Sequence, residues 1–173
     1  MFNFHIMTSD IVTDDVATRA LQMLENGEPN NTILAFLIDS AETLAGPGSV
    51  CSILLLDKDG LLRNGLSPRL PHDYLTAIDG LKPHPFVGTC ASAAATGKPV
   101  ITKDFKSDNK WGELRHLPLA LGFVGAWSMP IKTAEGKVLG TFGTYFTEQR
   151  EPSESEILYV KKLADVTAKV LTS

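Results

Sequence analysis

Apolar and polar residues follow several periods along the chain, and the changes of period mark its elements. Ile33, Leu34, Leu37, Ile38, Ala41 and Leu44 recur at the 3.6-residue period of a helix and form one apolar stripe. Asn31 or Thr32 is placed to cap that helix, and Gly46-Pro47-Gly48 ends it. Upstream, a helix is predicted over roughly 14–24, where Asp14 and Asp15 put negative charge at its N-terminus, and residues 1–13 read as a loose arm. Val50 to Leu56 is an apolar run of strand length. Asp57-Lys58-Asp59-Gly60 is hairpin-turn chemistry, and Leu61 to Leu66 returns as a second strand. A short helix fits His72 to Ile78.

A Pro-rich loop, Lys82 to Phe86, leads into Gly88 to Gly97, where the alanine run favours helix, Thr89 is a cap and Gly97 with Pro99 is the stop. Val100 to Thr102 is a brief strand, and Asp104 to Lys110 a polar loop. Trp111 to Leu121 reads as a helix that Pro118 distorts or ends. Val124 to Ile131 and Val138 to Phe146 are strands joined by the turn Ala134 to Lys137. Ser153-x-x-Glu156 is a capping box for a last helix ending near Leu171. Hairpins at both ends of the strand set predict an antiparallel sheet with helices packed on its faces, an α+β domain.

Composition narrows the picture. A chain of 173 residues is about one domain long, and 43% hydrophobic with 21% charged residues suffices for a core and excludes wholesale disorder. The net charge of −4 argues against nucleic acid or an anionic membrane as the main partner. Leu117 to Trp127, the longest nearly apolar run, is too short to span a bilayer, which needs about 20 residues. The N-terminus lacks the pattern of a signal peptide. Two cysteines form no disulfide scaffold, and reduced thiols in the cytoplasm are the expectation.

The best chemical candidate is the start of the Ala-rich helix. Gly88, Thr89, Cys90 and Ala91 bring free backbone N–H groups, a hydroxyl and a thiol to a helix N-terminus, which suits a polar head or a small anion. Phe86, Trp111, Leu114, His116, Trp127 and Met129 are candidate walls for a ligand pocket there; the same residues would equally serve an ordinary core. Near a helix N-terminus, Cys90 is a candidate low-pKa thiol, whereas Cys51 in its apolar strand reads as a buried small hydrophobe. The four histidines show no metal-ligand spacing, and no nucleophile–base or phosphate-loop motif is present. In the last helix, Val160, Ala164, Thr167 and Leu171 form one stripe and Tyr159, Leu163, Val166 and Val170 an adjacent one. So wide a face packs either on the N-terminal helix or on a partner subunit.

Three stretches resemble GAF domains: Gly88-Thr-Cys-Ala-Ser-Ala-Ala-Ala-Thr-Gly-Lys-Pro-Val-Ile101; Asp104 with Trp111-x-x-Leu-Arg115 and Ala120-Leu-Gly-Phe123; and Ala126-Trp-Ser-Met-Pro-Ile131 with Gly136-Lys-Val-Leu-Gly-Thr-Phe142. The style is that of bacterial sensor kinases and cyclic-dinucleotide signalling proteins, and the resemblance runs from Asn31 to the final helix. It implies a PAS-related antiparallel sheet of about five or six strands, with terminal helices on one face and a ligand pocket on the other. It further implies a cytoplasmic, non-enzymatic sensor of a small molecule or small anion without a resident cofactor. Such a sensor would dimerise through its terminal helices and act on a kinase or cyclic-dinucleotide effector. GAF proteins that reduce free methionine sulfoxide use a cluster of three cysteines, where this chain has two, so an enzyme with Cys90 as nucleophile is the alternative. A ligand-free dimerisation module is a third reading. Bilin attachment is disfavoured because Ala91, not His, follows Cys90; of the cyclic-nucleotide pattern only Asn109-Lys110 is present.

Overall fold

A computed structural model describes the backbone of residues 4–173 and the side chains of residues 14–173. Two helices open the chain, α1 (Phe4–Glu25) and α2 (Asn30–Ala45). The hairpin β1 (Val50–Leu56) and β2 (Leu62–Leu66) follows, then α3 (His72–Ile78), α4 (Cys90–Thr96) and β3 (Val100–Thr102). A 3-10 turn (Gly112–Arg115) runs into α5 (His116–Ala120), and β4 (Gly125–Lys132), β5 (Val138–Phe146) and α6 (Glu154–Thr172) complete the chain.

Most elements lie where the hydrophobic pattern predicts, and the departures have local causes. Residues 4–13, expected as an arm, belong to α1: the sequence FHIMTSDIVT has no Gly or Pro to break a helix. The first three residues of that arm lie outside the described residues. Asp14 and Asp15 therefore sit mid-helix, and Asp14 pairs with Lys162 of α6 rather than with a helix terminus. Helix α2 is entered through Pro29, whose carbonyl accepts the N–H groups of Thr32 and Ile33, so neither Asn31 nor Thr32 caps it. The predicted 111–121 helix splits into a 3-10 turn and the short α5, with Pro118 in its middle. Only half of the capping box forms. Ser153 Oγ accepts the Glu156 N–H at 3.1 Å, but the Glu156 carboxylate turns to the Arg150 guanidinium at 2.8 and 3.1 Å.

The five strands form one antiparallel sheet in the order β2-β1-β5-β4-β3. At Gly140 the backbones of β5 and β1 pass so closely that a Cβ would lie 2.0 Å from the Leu54 carbonyl oxygen. Side chains alternate across the sheet with period two. Cys51, Ile53, Trp127, Met129, Ile131, Phe142 and Phe146 point to one face and are buried beneath α2 and α6, on which α1 packs. Both stripes of α6 are buried within the chain, so the width of its apolar face is accounted for without a partner subunit. The opposite face receives α4 and the segments around α3 and residues 104–123. No described helix is long and apolar enough to cross a membrane.

Candidate functional site

The face away from the terminal helices carries small and polar side chains where the other carries bulky apolar ones. In register, Ser52 of β1, Gly143 of β5 and Ser128 of β4 form a row across three strands. On one side of it lies the row Leu54, Thr141 and Pro130, and on the other Val50, Tyr145, Ala126 and Thr102. Gly143 carries no side chain at the centre of this floor, and the Cys90 thiol of α4 fills the place above it: a Cβ on Gly143 would lie 3.3 Å from Cys90 Sγ. Ser128 Oγ donates to that sulfur at 3.5 Å. The Thr141 hydroxyl is fully buried with no nitrogen or oxygen partner, and it lies against the same thiol.

Other polar groups around the floor pair among themselves. The hydroxyls of Tyr74 (α3) and Tyr145 meet at 2.7 Å, with rings edge-on at 5.8 Å. Ser52 Oγ lies 2.6 Å from Ser67 Oγ, which donates to Asn64 Oδ1. Trp111 Nε1 donates to Thr89 Oγ1 at 3.0 Å and to Thr102 Oγ1 at 3.2 Å, and those hydroxyls are 2.8 Å apart. Phe105 stacks edge-on against Trp111 at 4.5 Å and closes that end. Burial raises the pKa of the Cys90 thiol and of the Tyr74 and Tyr145 hydroxyls, and contacts with the Ser128 and Thr141 hydroxyls only partly offset it for Cys90. All three are held neutral.

Of the residues expected at a site, Thr89, Cys90, Ala91, Trp111 and Leu114 come together against this face. Several expectations are corrected. Trp127 and Met129 lie in the core beneath the terminal helices because strand alternation turns them away from Cys90. Phe86 is 73% exposed and packs only edge-on to His84. His116 is exposed, and its Nδ1 pairs with the Glu113 carbonyl. Thr89 does not cap α4, since its hydroxyl is taken by Thr102 and Trp111. Gly88 has φ +61°, a left-handed conformation that favours glycine, but its N–H is bound to the Lys110 carbonyl at 2.7 Å and not free for an anion. Cys90 is raised in pKa, not lowered, because burial outweighs the helix terminus. Cys51 is on the opposite face, hydrogen-bonded to Thr144 and pushed up to about 12 by burial, so the two thiols are not partners. Among the described residues no three His, Cys, Asp or Glu side chains gather as a metal site.

Sequence reasoning missed Ser52, Thr102, Ser128, Thr141, Gly143, Tyr74 and Tyr145. A signal was present: in β4, Ala126, Ser128 and Pro130 alternate with Trp127, Met129 and Ile131, and in β5, Thr141, Gly143 and Tyr145 alternate with Phe142, Thr144 and Phe146.

A five-stranded antiparallel sheet with terminal helices on one face and short helices over a polar floor on the other is the α+β GAF architecture. Residues 30–172 match the GAF domain family, and the chain belongs to it. It is 33% identical over 144 residues to a "Methyl sulfide methyltransferase-associated sensor" of Methanosarcina acetivorans; the match takes in 83% of this chain and 14% of that protein. The chain thus spans about a seventh of that relative's length. In fold it is similar to the GAF domain of a phosphoenolpyruvate-protein phosphotransferase from Coxiella burnetii, at TM-score 0.74 and 16% identity, covering 94% of each chain. It is also similar to free methionine-R-sulfoxide reductase from Neisseria meningitidis in complex with its substrate, at TM-score 0.73 and 14% identity, covering 99% of this chain and 93% of that one. At these identities the likeness concerns the fold.

Proposed function

We propose that this GAF domain is a sensory module that takes up a small molecule between the polar floor of the sheet and the cover made by α3, α4 and residues 104–121. The observation that carries the reading is the Thr141 hydroxyl, buried at the edge of the Ser52–Gly143–Ser128 row with the weakly bonding Cys90 thiol beside it and no nitrogen or oxygen partner. A thiol satisfies a buried hydroxyl only weakly, and a ligand's polar atom would complete its hydrogen bonding. The sensor name of the Methanosarcina acetivorans relative supports the same reading.

Signal transfer follows from strand alternation. Thr141 faces the proposed ligand, and its neighbour Phe142 is buried under α2 and α6. A ligand that favours one setting of β5 favours one packing of the terminal helices, which a fused or separate effector, a kinase or a cyclic-dinucleotide enzyme, would read. Dimerisation through those helices belongs to this proposal and would use Leu158, 66% exposed on α6. So does a cytoplasmic setting, in keeping with two cysteines that form no disulfide. A neutral Cys90 with Cys51 on the far face of the sheet argues against the reductase alternative.

Native mass spectrometry of the gently purified protein, compared with its denatured mass, tests the proposal. A small mass released on denaturation is expected. A bare protein that no fraction of a cell extract stabilises against heat would instead favour a ligand-free dimerisation module.

A further inference from the structure

The connection that leaves the edge strand β2 engages both layers of the molecule between Leu66 and Leu70. Leu66 packs against the core beneath the terminal helices. Ser67 Oγ joins the polar floor, 2.6 Å from Ser52 Oγ, and Leu70 is buried in the cover with Tyr74, Phe105 and Trp111. Next to Leu70, Arg69 reaches back to the helix layer. Its guanidinium pairs with Asp39 at 2.9 Å and with Glu42 at 2.6 Å, carboxylates at i and i+3 on one face of α2. Arg69 and Leu70 are thus neighbours in the chain held by opposite layers.

The two carboxylates differ in freedom. The Glu42 side chain is 10% exposed, and its second oxygen accepts the Cys51 N–H at 2.9 Å, which fixes it to the start of β1. Asp39 and Arg69 are 58% and 49% exposed, so water can replace their contact at little cost. Withdrawing Arg69 from Glu42 costs more, because a covered carboxylate would lose its countercharge. We propose that Arg69 is a strap that carries a displacement of the cover to α2 past the end of β2, a route separate from the strands of the sheet. The coupling belongs to the fold and operates whether or not a ligand is what moves the cover.

Amide hydrogen exchange of the whole chain, read by mass spectrometry, tests the strap. Strand β4 reports global opening, and residues 39–45 report the response of α2. Leu70→Ala slackens the anchor in the cover. It is expected to speed exchange over residues 39–45 about tenfold more than over β4, equivalent to about 1.4 kcal/mol. In an Arg69→Met background, which keeps the apolar stem and removes the charge, the same substitution is expected to add no more than about twofold. Tyr74→Phe keeps the ring and gives up only the hydroxyl pair with Tyr145. It repeats the comparison with a gentler disturbance and decides it should Leu70→Ala fail to fold. A response of α2 that is equal with and without Arg69 would mean that the sheet carries it, and overturns the strap. So does an α2 that exchanges no faster than β4 in either cover variant.

Discussion

Thr141 and Trp127 both bury a polar atom without a partner, but on opposite faces of the sheet and with different consequences. Replacing the Thr141 hydroxyl by an isosteric methyl removes an unsatisfied group without creating a cavity. Thr141→Val is therefore expected to raise stability by about 1 kcal/mol in urea unfolding. The indole of Trp127 fills the core under the terminal helices, so Trp127→Ala is expected to cost about 3–5 kcal/mol by the same measurement. At Cys90, a thiol pKa raised by burial predicts slow alkylation. Its rate with iodoacetamide, followed by mass spectrometry, should climb with pH only above the ordinary thiol range. A plateau near neutral pH would show a thiolate and revive the reductase reading.

Elements in this protein are held by turns and close strand contacts as much as by propensity. The β1–β2 turn is organised by Asp57, which accepts the N–H groups of Asp59 and Leu61 and pairs with Arg63, each at 2.9 Å. The Leu61 N–H bond and the Arg63 pairing hold its carboxyl below the usual range. A depressed folded pKa contributes stability that is present above the unfolded pKa and lost as pH falls through the folded one. The thermal midpoint should therefore fall on acidification below the ordinary aspartate range, with a shallower slope in Asp57→Asn. Gly140→Ala should cost about 3 kcal/mol or more, because β5 cannot stay paired to β1 with a Cβ at 2.0 Å from the Leu54 carbonyl. Such a contact lies between strands 86 residues apart, beyond what a local pattern reveals.

For the whole molecule, the helix layer and the polar layer share the sheet between them. Apolar burial dominates the helix layer: Leu163→Ala should cost about 2–5 kcal/mol, whereas Lys162→Ala, which breaks only an exposed pair with Asp14, should cost no more than about 1 kcal/mol. Thermal unfolding of the two variants side by side checks this ordering. The two layers are joined through β4 and β5, whose alternate side chains reach both.

By itself the sequence determined the α+β class, the strand-to-strand turns, the bounds of β3 and β5 and the stripe of α2, because each rests on local periodicity and turn chemistry. It also named Thr89, Cys90 and Trp111, which the fold brings to one face of the sheet, since a helix start and a nearby aromatic can be read locally. Only the tertiary structure decided that Trp127 and Met129 belong to the other face, that α6 buries both its stripes within the chain, and that Ser52, Gly143 and Ser128 meet in one row. Those outcomes depend on strand order and register, which join residues far apart in the chain. A slip of one residue in that register would have exchanged the two faces of the sheet.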